Sequence, residues 1–223
     1  MNRRFFPLLL LPALLLFLAV PAFAQAPSVA LTFDDGPSGR FTKTLLDGLK
    51  ERQVKATFFL CGYRLKDYPE LARRMVEEGH ELGCHGFSHN SMQTMSRRDI
   101  AEEISATLAL LPENARVRFL RPPGGCCSES VAQVAGAKQM PILQWSVDPQ
   151  DWALHDAAVI KNRVTETVRD GDVILLHDMS TSSVQAALAI VDTLQARGYR
   201  FVTASQLFSG TRLKPGSVYY RRR

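Results

Sequence analysis

The sequence predicts a single-domain α/β fold whose parallel sheet closes into a (β/α) barrel of about seven units. Three observations carry this expectation. Short apolar runs alternate with stretches of helical period along the chain. No long linker, repeat or low-complexity segment interrupts them. Each polar cluster falls just after an apolar run: Asp34–Asp35, His85 and His89, Arg121, Asp151, and His177. Barrels of this kind place their chemistry at the carboxyl ends of the strands. Chance scattering would not usually place all five clusters there, so the pattern predicts an enzyme.

The elements follow in order. Val29, Ala30 and Leu31 lead a strand into Asp34–Asp35 and the turn pair Gly36–Pro37. Neighbouring side chains on a strand point to opposite sides, so two carboxylates meet one site only if the strand ends there. Phe41 to Arg52 reads as a helix with Leu45, Leu46 and Leu49 inward, and Ala56–Leu60 as a strand. Pro69 to Glu78 is a helix with proline at its start, where proline is tolerated, and Gly79 as its stop. Glu81–Cys84 is a brief strand before His85–Asn90. Ser96 caps a helix whose buried stripe is Ile100, Ile104, Leu108 and Leu111. Val117–Leu120 is a strand running into Arg121–Gly125, and Ser128–Gly136 a short helix. Ile142–Val147 is a strand ending at Asp148–Trp152, and Asp156–Val168 a helix. Val173–Leu176 is a strand ending at His177–Asp178. Val184, Leu188, Val191 and Leu194 mark the next helix, stopped by Gly198, and Phe201–Val202 begins the last strand.

The first 24 residues stand apart. Asn2–Arg3–Arg4 is basic, Phe5 to Val20 is apolar with two prolines, and Ala22–Phe23–Ala24 is a small-x-small cleavage site. This is the pattern of a secretory signal peptide, so a secreted or periplasmic protein without a transmembrane anchor is expected. Arg3–Arg4 faintly suggests twin-arginine export, but the long apolar run favours the general secretory route. A domain over 25–210 follows, then a basic tail over 211–223 ending in Arg221–Arg222–Arg223, expected to be solvated.

Composition is ordinary for a globular domain, with 46% hydrophobic and 22% charged residues. The formal charge of +5 loses two arginines with the leader, leaving too little clustered basic charge for a nucleic-acid partner. Four cysteines, Cys61, Cys84, Cys126 and Cys127, would enter a compartment where disulfides form. They allow three full pairings, of which Cys61 with Cys84 is one, and none has zinc-ribbon spacing. A monomer is expected.

His85 and His89 can reach one metal, and a carboxylate from another strand completes a two-His, one-carboxylate site with room for water. The second carboxylate can then take that water's proton. His177 can protonate a leaving group, with Asp151 holding its tautomer. Arg121 can orient Asp34 through a forked pair. Pro122–Pro123–Gly124–Gly125 leaves the Gly124 N–H free as an oxyanion donor. Trp152 can wall a small pocket or pack in the core. His80 and His155 read as surface residues.

Five stretches together resemble the polysaccharide deacetylases with a NodB-homology domain, carbohydrate esterase family 4. They are Thr32–Pro37 (TFDDGP), His85–His89 (HGFSH), Arg121–Pro123 (RPP), Asp148–Trp152 (DPQDW) and Leu175–His177 (LLH). The resemblance implies a distorted (β/α)7–8 barrel and a divalent metal, usually zinc, with cobalt or another divalent ion as alternatives. It implies an N-acetylated glycan as substrate, chitooligosaccharide or peptidoglycan, with release of acetate. It gives Asp34 as general base; Asp35, His85 and His89 as metal ligands; Arg121 as the group orienting the base; and Asp151 as partner of His177, the general acid. Trp152 and Leu175 would line the acetyl-methyl pocket, beside Pro123 and Gly124. Gly124 departs from the family's frequent Tyr, leaving a more open face over the sugar. Two other readings stay open. O-deacetylation of acetylated xylan would use the same groups. A non-catalytic sugar-binding relative would have lost a ligand or base, and all are present.

Overall fold

A computed structural model describes residues 26–223; the leader over 1–24 lies outside the described residues. The elements run β1 (Ser28–Asp34), α1 (Arg40–Glu51), β2 (Thr57–Leu60), α2 (Gly62–Asp67), α3 (Pro69–Glu77), β3 (Glu81–Cys84) and α4 (Arg97–Leu108). After a 3₁₀ turn at Pro123–Gly125 come α5 (Glu129–Ala137), β4 (Ile142–Leu143), α6 (Ala157–Thr165), β5 (Val173–His177), α7 (Thr181–Ala196), β6 (Arg200–Val202), α8 (Ala204–Leu207) and β7 (Val218–Tyr219). No described helix is long and apolar enough to cross a membrane.

The chain forms an α/β fold on a parallel sheet, ordered β3-β2-β1-β5, with β6 also paired to β1. Single parallel bridges continue the ring: Cys84 to Leu120, Leu120 to Ile142, and Val147 to Ile174 on β5. The sheet therefore closes on itself, in part through one-residue contacts. The strand expected over Val117–Leu120 shrinks to Leu120, bridged to Cys84 and Ile142, and Pro122 and Pro123 keep the ladder from running on beyond Arg121. The strand expected over Ile142–Val147 is interrupted. The N–H groups of Ser146 and Val147 both donate to the Val173 carbonyl, the two-against-one pattern of a bulge.

Alternation on β1 sorts its side chains. Val29, Leu31 and Phe33 pack outward against Leu45, Leu46 and Leu49 of α1 and Ile190, Val191 and Leu194 of α7. Ala30 faces the barrel interior with Phe59, Phe119, Leu143 and Val173, closed by Leu207 and Phe208. Thr32 and Asp34 share the phase of Ala30, which directs Asp34 into the barrel mouth.

Three expectations are corrected. The basic tail is not simply solvated: β7 pairs with β4, Arg222 lies 2.7 Å from Asp170, and Arg221 lies 3.3 Å from the buried Asp172. His80 is buried rather than on the surface. Its Nδ1 accepts the Ala56 N–H at 3.1 Å, its ring meets Phe58 edge-on, and burial lowers its pKa to about 4. Cys61 and Cys84 are buried but free, as are Cys126 and Cys127. Cys84 pairs in register with Leu60, so Cys61, one residue on, leaves the sheet on the other face.

Candidate metal centre and active site

The two adjacent aspartates meet one site because the strand ends between them. Asp34 ends β1 and points inward by alternation. Asp35 would point away, but its backbone turns left-handed, φ 72°, and brings the carboxylate back. His89 is also left-handed, φ 63°, at the end of the loop that leaves β3. Strained backbone at two such neighbours is the kind of conformation that a surrounding structure maintains for a site.

Asp35, His85 and His89 present three ligand atoms within 4.8 Å of one another. Asp35 Oδ1 lies 3.2 Å from His85 Nε2 and 2.9 Å from His89 Nε2, yet it is buried and makes no hydrogen bond. Atoms that crowd one point without bonding to each other suit a cation between them. One carboxylate and two imidazoles in this arrangement are a donor set that fits a divalent cation. His85 Nδ1 bonds the Arg121 carbonyl at 2.7 Å, so Nδ1 carries the proton and Nε2 keeps its lone pair. Burial alone would raise the Asp35 pKa, but His85, His89 and His177 outweigh it and hold the carboxyl far below its usual range. Asp35 in turn raises the His89 pKa.

Asp34 and His177 flank this cluster. They are register partners at the ends of β1 and β5. Asp34 Oδ2 lies 3.8 Å from His85 Nε2, and His177 Nε2 lies 4.0 Å from Asp35 Oδ2. Arg121 is fully buried and spends its donors four ways. Nη1 bonds Asp34 Oδ1 at 2.6 Å and Thr32 Oγ1 at 2.9 Å, Nε bonds the Leu143 carbonyl, and Nη2 bonds that of Gln144. Its guanidinium carbon sits 3.9 Å above the Phe59 ring. Burial lowers the Arg121 pKa and the Asp34 carboxylate pushes it back up. Asp151, also buried, accepts from His177 twice: Oδ1 faces Nδ1 at 2.8 Å and Oδ2 takes the backbone N–H at 2.9 Å. Burial would lower the His177 pKa; Asp151, then Asp34 and Asp35, raise it to about 9.

A cavity of about 260 Å³ opens beside the cluster, lined by Asp35, Asp151, Trp152, His155, His177, Met179, Ser180 and Ser183. Trp152 is 64% exposed, so it walls this cavity rather than packing in the core. Leu175 is buried, in register with Thr32 and two residues before His177, and does not line the cavity. Pro123 is buried and Gly124 exposed, with φ 63° and open space where a side chain would stand. The Gly124 N–H donates to no group among the described residues.

Sequence reasoning missed four supports. Thr32 and the Leu143 and Gln144 carbonyls share Arg121. Glu103 on α4 bonds the loop between the two histidines. Glu103 had a weak signal: it interrupts the buried side of a helix beside Ile100 and Ile104.

A family model described as polysaccharide deacetylase matches residues 24–143. A peptidoglycan-N-acetylglucosamine deacetylase of Listeria monocytogenes is 34% identical over 221 residues, 98% of this chain but 46% of the Listeria protein, so the chain spans about half that relative's length. A chitooligosaccharide deacetylase of Sinorhizobium fredii is 41% identical over 156 residues, 69% of this chain and 73% of that protein. The solved structure of a family 4 acetyl xylan esterase from Clostridium thermocellum, in complex with a cobalt ion, superposes with a TM-score of 0.81 at 35% identity, covering 87% of this chain and 98% of that one. The carboxylate–imidazole cluster at the strand ends and these likenesses lead to one assignment: the chain belongs to the polysaccharide deacetylase family.

Proposed function

We propose that this chain is a zinc-dependent hydrolase that removes N-acetyl groups from amino-sugar residues of a glycan, releasing acetate. The observation that carries the reading is the buried, unbonded Asp35 Oδ1 facing His85 and His89, with Asp34 and His177 at matched positions on either side. Asp35, His85 and His89 would hold a divalent cation, which would supply Lewis acidity and make a water easier to deprotonate.

The protein's own groups do the rest. Asp34, fixed by Arg121, takes a proton from the attacking water as its oxygen bonds the acetyl carbon. The free Gly124 N–H is the candidate donor to the oxygen that gains charge. His177, held protonated by Asp151, gives its proton to the amide nitrogen as the carbon–nitrogen bond breaks. Acetate and a free amine result. Trp152 offers the sugar an exposed aromatic face at the wall of the cavity, with the buried Leu175 behind His177 on β5 and the buried Pro123 beneath Gly124. The basic start, apolar run and Ala22–Phe23–Ala24 support export.

The likeness to an acetyl xylan esterase supports a second reading, cleavage of O-acetyl esters by the same groups. Acetate release measured side by side on chitooligosaccharides, peptidoglycan and acetylated xylan separates the two. Release from the N-acetylated substrates is expected. Release from xylan alone would replace the first reading by the second.

A further inference from the structure

We propose that Glu103 is a positioning residue for the metal centre, fixing His89 through the backbone of the histidine loop. The inference rests on reading Asp35, His85 and His89 as cation ligands. The two histidines are held very differently. His85 is buried, follows directly on β3, and has its ring pinned by the Arg121 carbonyl at 2.7 Å. The His89 side chain is 42% exposed, and the partner found for its ring among the described residues is Asp35 itself. Where His89 stands is therefore set by its backbone.

That backbone is clamped from two sides. The carbonyls of Gly86 and Phe87 accept from the N–H groups of Gly62 and Tyr63, each at 3.0 Å. On the other side, one oxygen of Glu103, Oε2, accepts the N–H of Phe87 at 2.7 Å and that of Ser88 at 2.8 Å. One carboxylate oxygen thus gathers two consecutive backbone donors, the kind of contact that is stronger than a bond between neutral groups. Glu103 is rooted in α4, whose N-cap Ser96 accepts from Asp99. The loop has no slack: a side chain at Gly86, φ 79°, would come within 2.8 Å of Met92 Cε and 3.3 Å of Glu103 Oε2. The left-handed turn at His89 follows directly on this clamped segment. Without Glu103, two consecutive N–H groups lose their acceptor and the loop can relax away from Asp35.

The test is zinc affinity of the chelator-stripped full chain, measured by competition with a chromophoric chelator, together with thermal unfolding of the metal-free protein. Glu103→Ala is expected to weaken zinc binding about 10- to 100-fold. Its turnover on chitooligosaccharide is expected to recover with excess zinc, at unchanged KM. Glu103→Gln keeps an acceptor oxygen and is expected to bind within a few-fold of wild type. Glu103→Asp, one methylene short, is expected to lose affinity and serves if the alanine variant does not fold. Wild-type affinity in Glu103→Asp or Glu103→Ala overturns the proposal. So does equal loss in Glu103→Gln and Glu103→Asp that tracks lowered metal-free stability. His85→Ala separates the two claims: if it binds zinc like wild type, the ligand assignment itself falls.

Discussion

Replacing Asp151 by asparagine removes the charge beside His177 and nearly preserves its shape. The His177 pKa is raised to about 9, well above that of a free imidazole, although burial pulls the other way. Asp151 is the largest upward influence, so its loss should bring His177 to about 6.5 or lower. At pH 7.5 the protonated fraction then falls from nearly all to about one in ten. The sign for stability follows from the same shift. A folded pKa above the unfolded 6.5 means protonated His177 stabilises the fold fully below pH 6.5, and this fades as pH rises through about 9. The size is roughly 3 kcal/mol. Two measurements check it: NMR titration of His177 in metal-free protein, and the alkaline limb of kcat/KM. Asp151→Asn should titrate two or more units lower and lose activity from a lower pH. It should be less stable than wild type at pH 6 and similar near pH 9.5. An unchanged His177 titration would refute the pairing as the cause of the shift.

Three other substitutions probe separate parts of the site. Asp34→Asn should keep zinc binding while kcat falls about 10²- to 10⁴-fold, the usual reach of a general base; near-normal kcat would remove Asp34 from that role. Arg121→Lys keeps a charge near Asp34 but cannot satisfy Leu143 and Gln144 as well. Two orphaned carbonyls at about 1 to 3 kcal/mol each should lower the melting temperature by roughly 5 to 20 °C, and a change under a degree or two would contradict the network. Asp178 is fully buried behind Gly36, with Oδ1 unpartnered and its pKa raised by burial to about 6. Its ionised form costs stability, from nothing below pH 3.8 to roughly 3 kcal/mol above pH 6. Asp178→Asn should therefore stabilise the metal-free protein in urea at pH 7.5 and change little at pH 4, whereas equal effects at both would contradict the assignment.

Much of this was legible in the sequence because strand ends announce themselves. Apolar runs stop at Asp34, Cys84 and Leu176, and the chemistry stands just beyond. The five motif residues Asp34, Asp35, His85, His89 and His177 come together in space as their order implied. What stayed hidden depends on backbone twist or long-range contacts. Nothing local says that Asp35 turns left-handed and thereby joins Asp34 at one site. His80 looked like a surface residue because its partner, the Ala56 N–H, is 24 positions away. The tail looked solvated because two-residue β7 is too short to show alternation, and its arginines find Asp170 and Asp172 only through the fold. Cys127 likewise meets its partner only through the fold: Gln144 Nε2, 17 positions on, donates to its Sγ at 2.9 Å.

The most direct test of the metal centre is a stoichiometric titration. Chelator-stripped protein receives zinc while acetate release from a chitooligosaccharide is followed. Activity should rise linearly to one equivalent and then level off, and Asp35→Ala and His89→Ala should fail both to bind at that affinity and to release acetate. Full activity in the stripped protein, or undiminished zinc binding in both variants, would contradict the account.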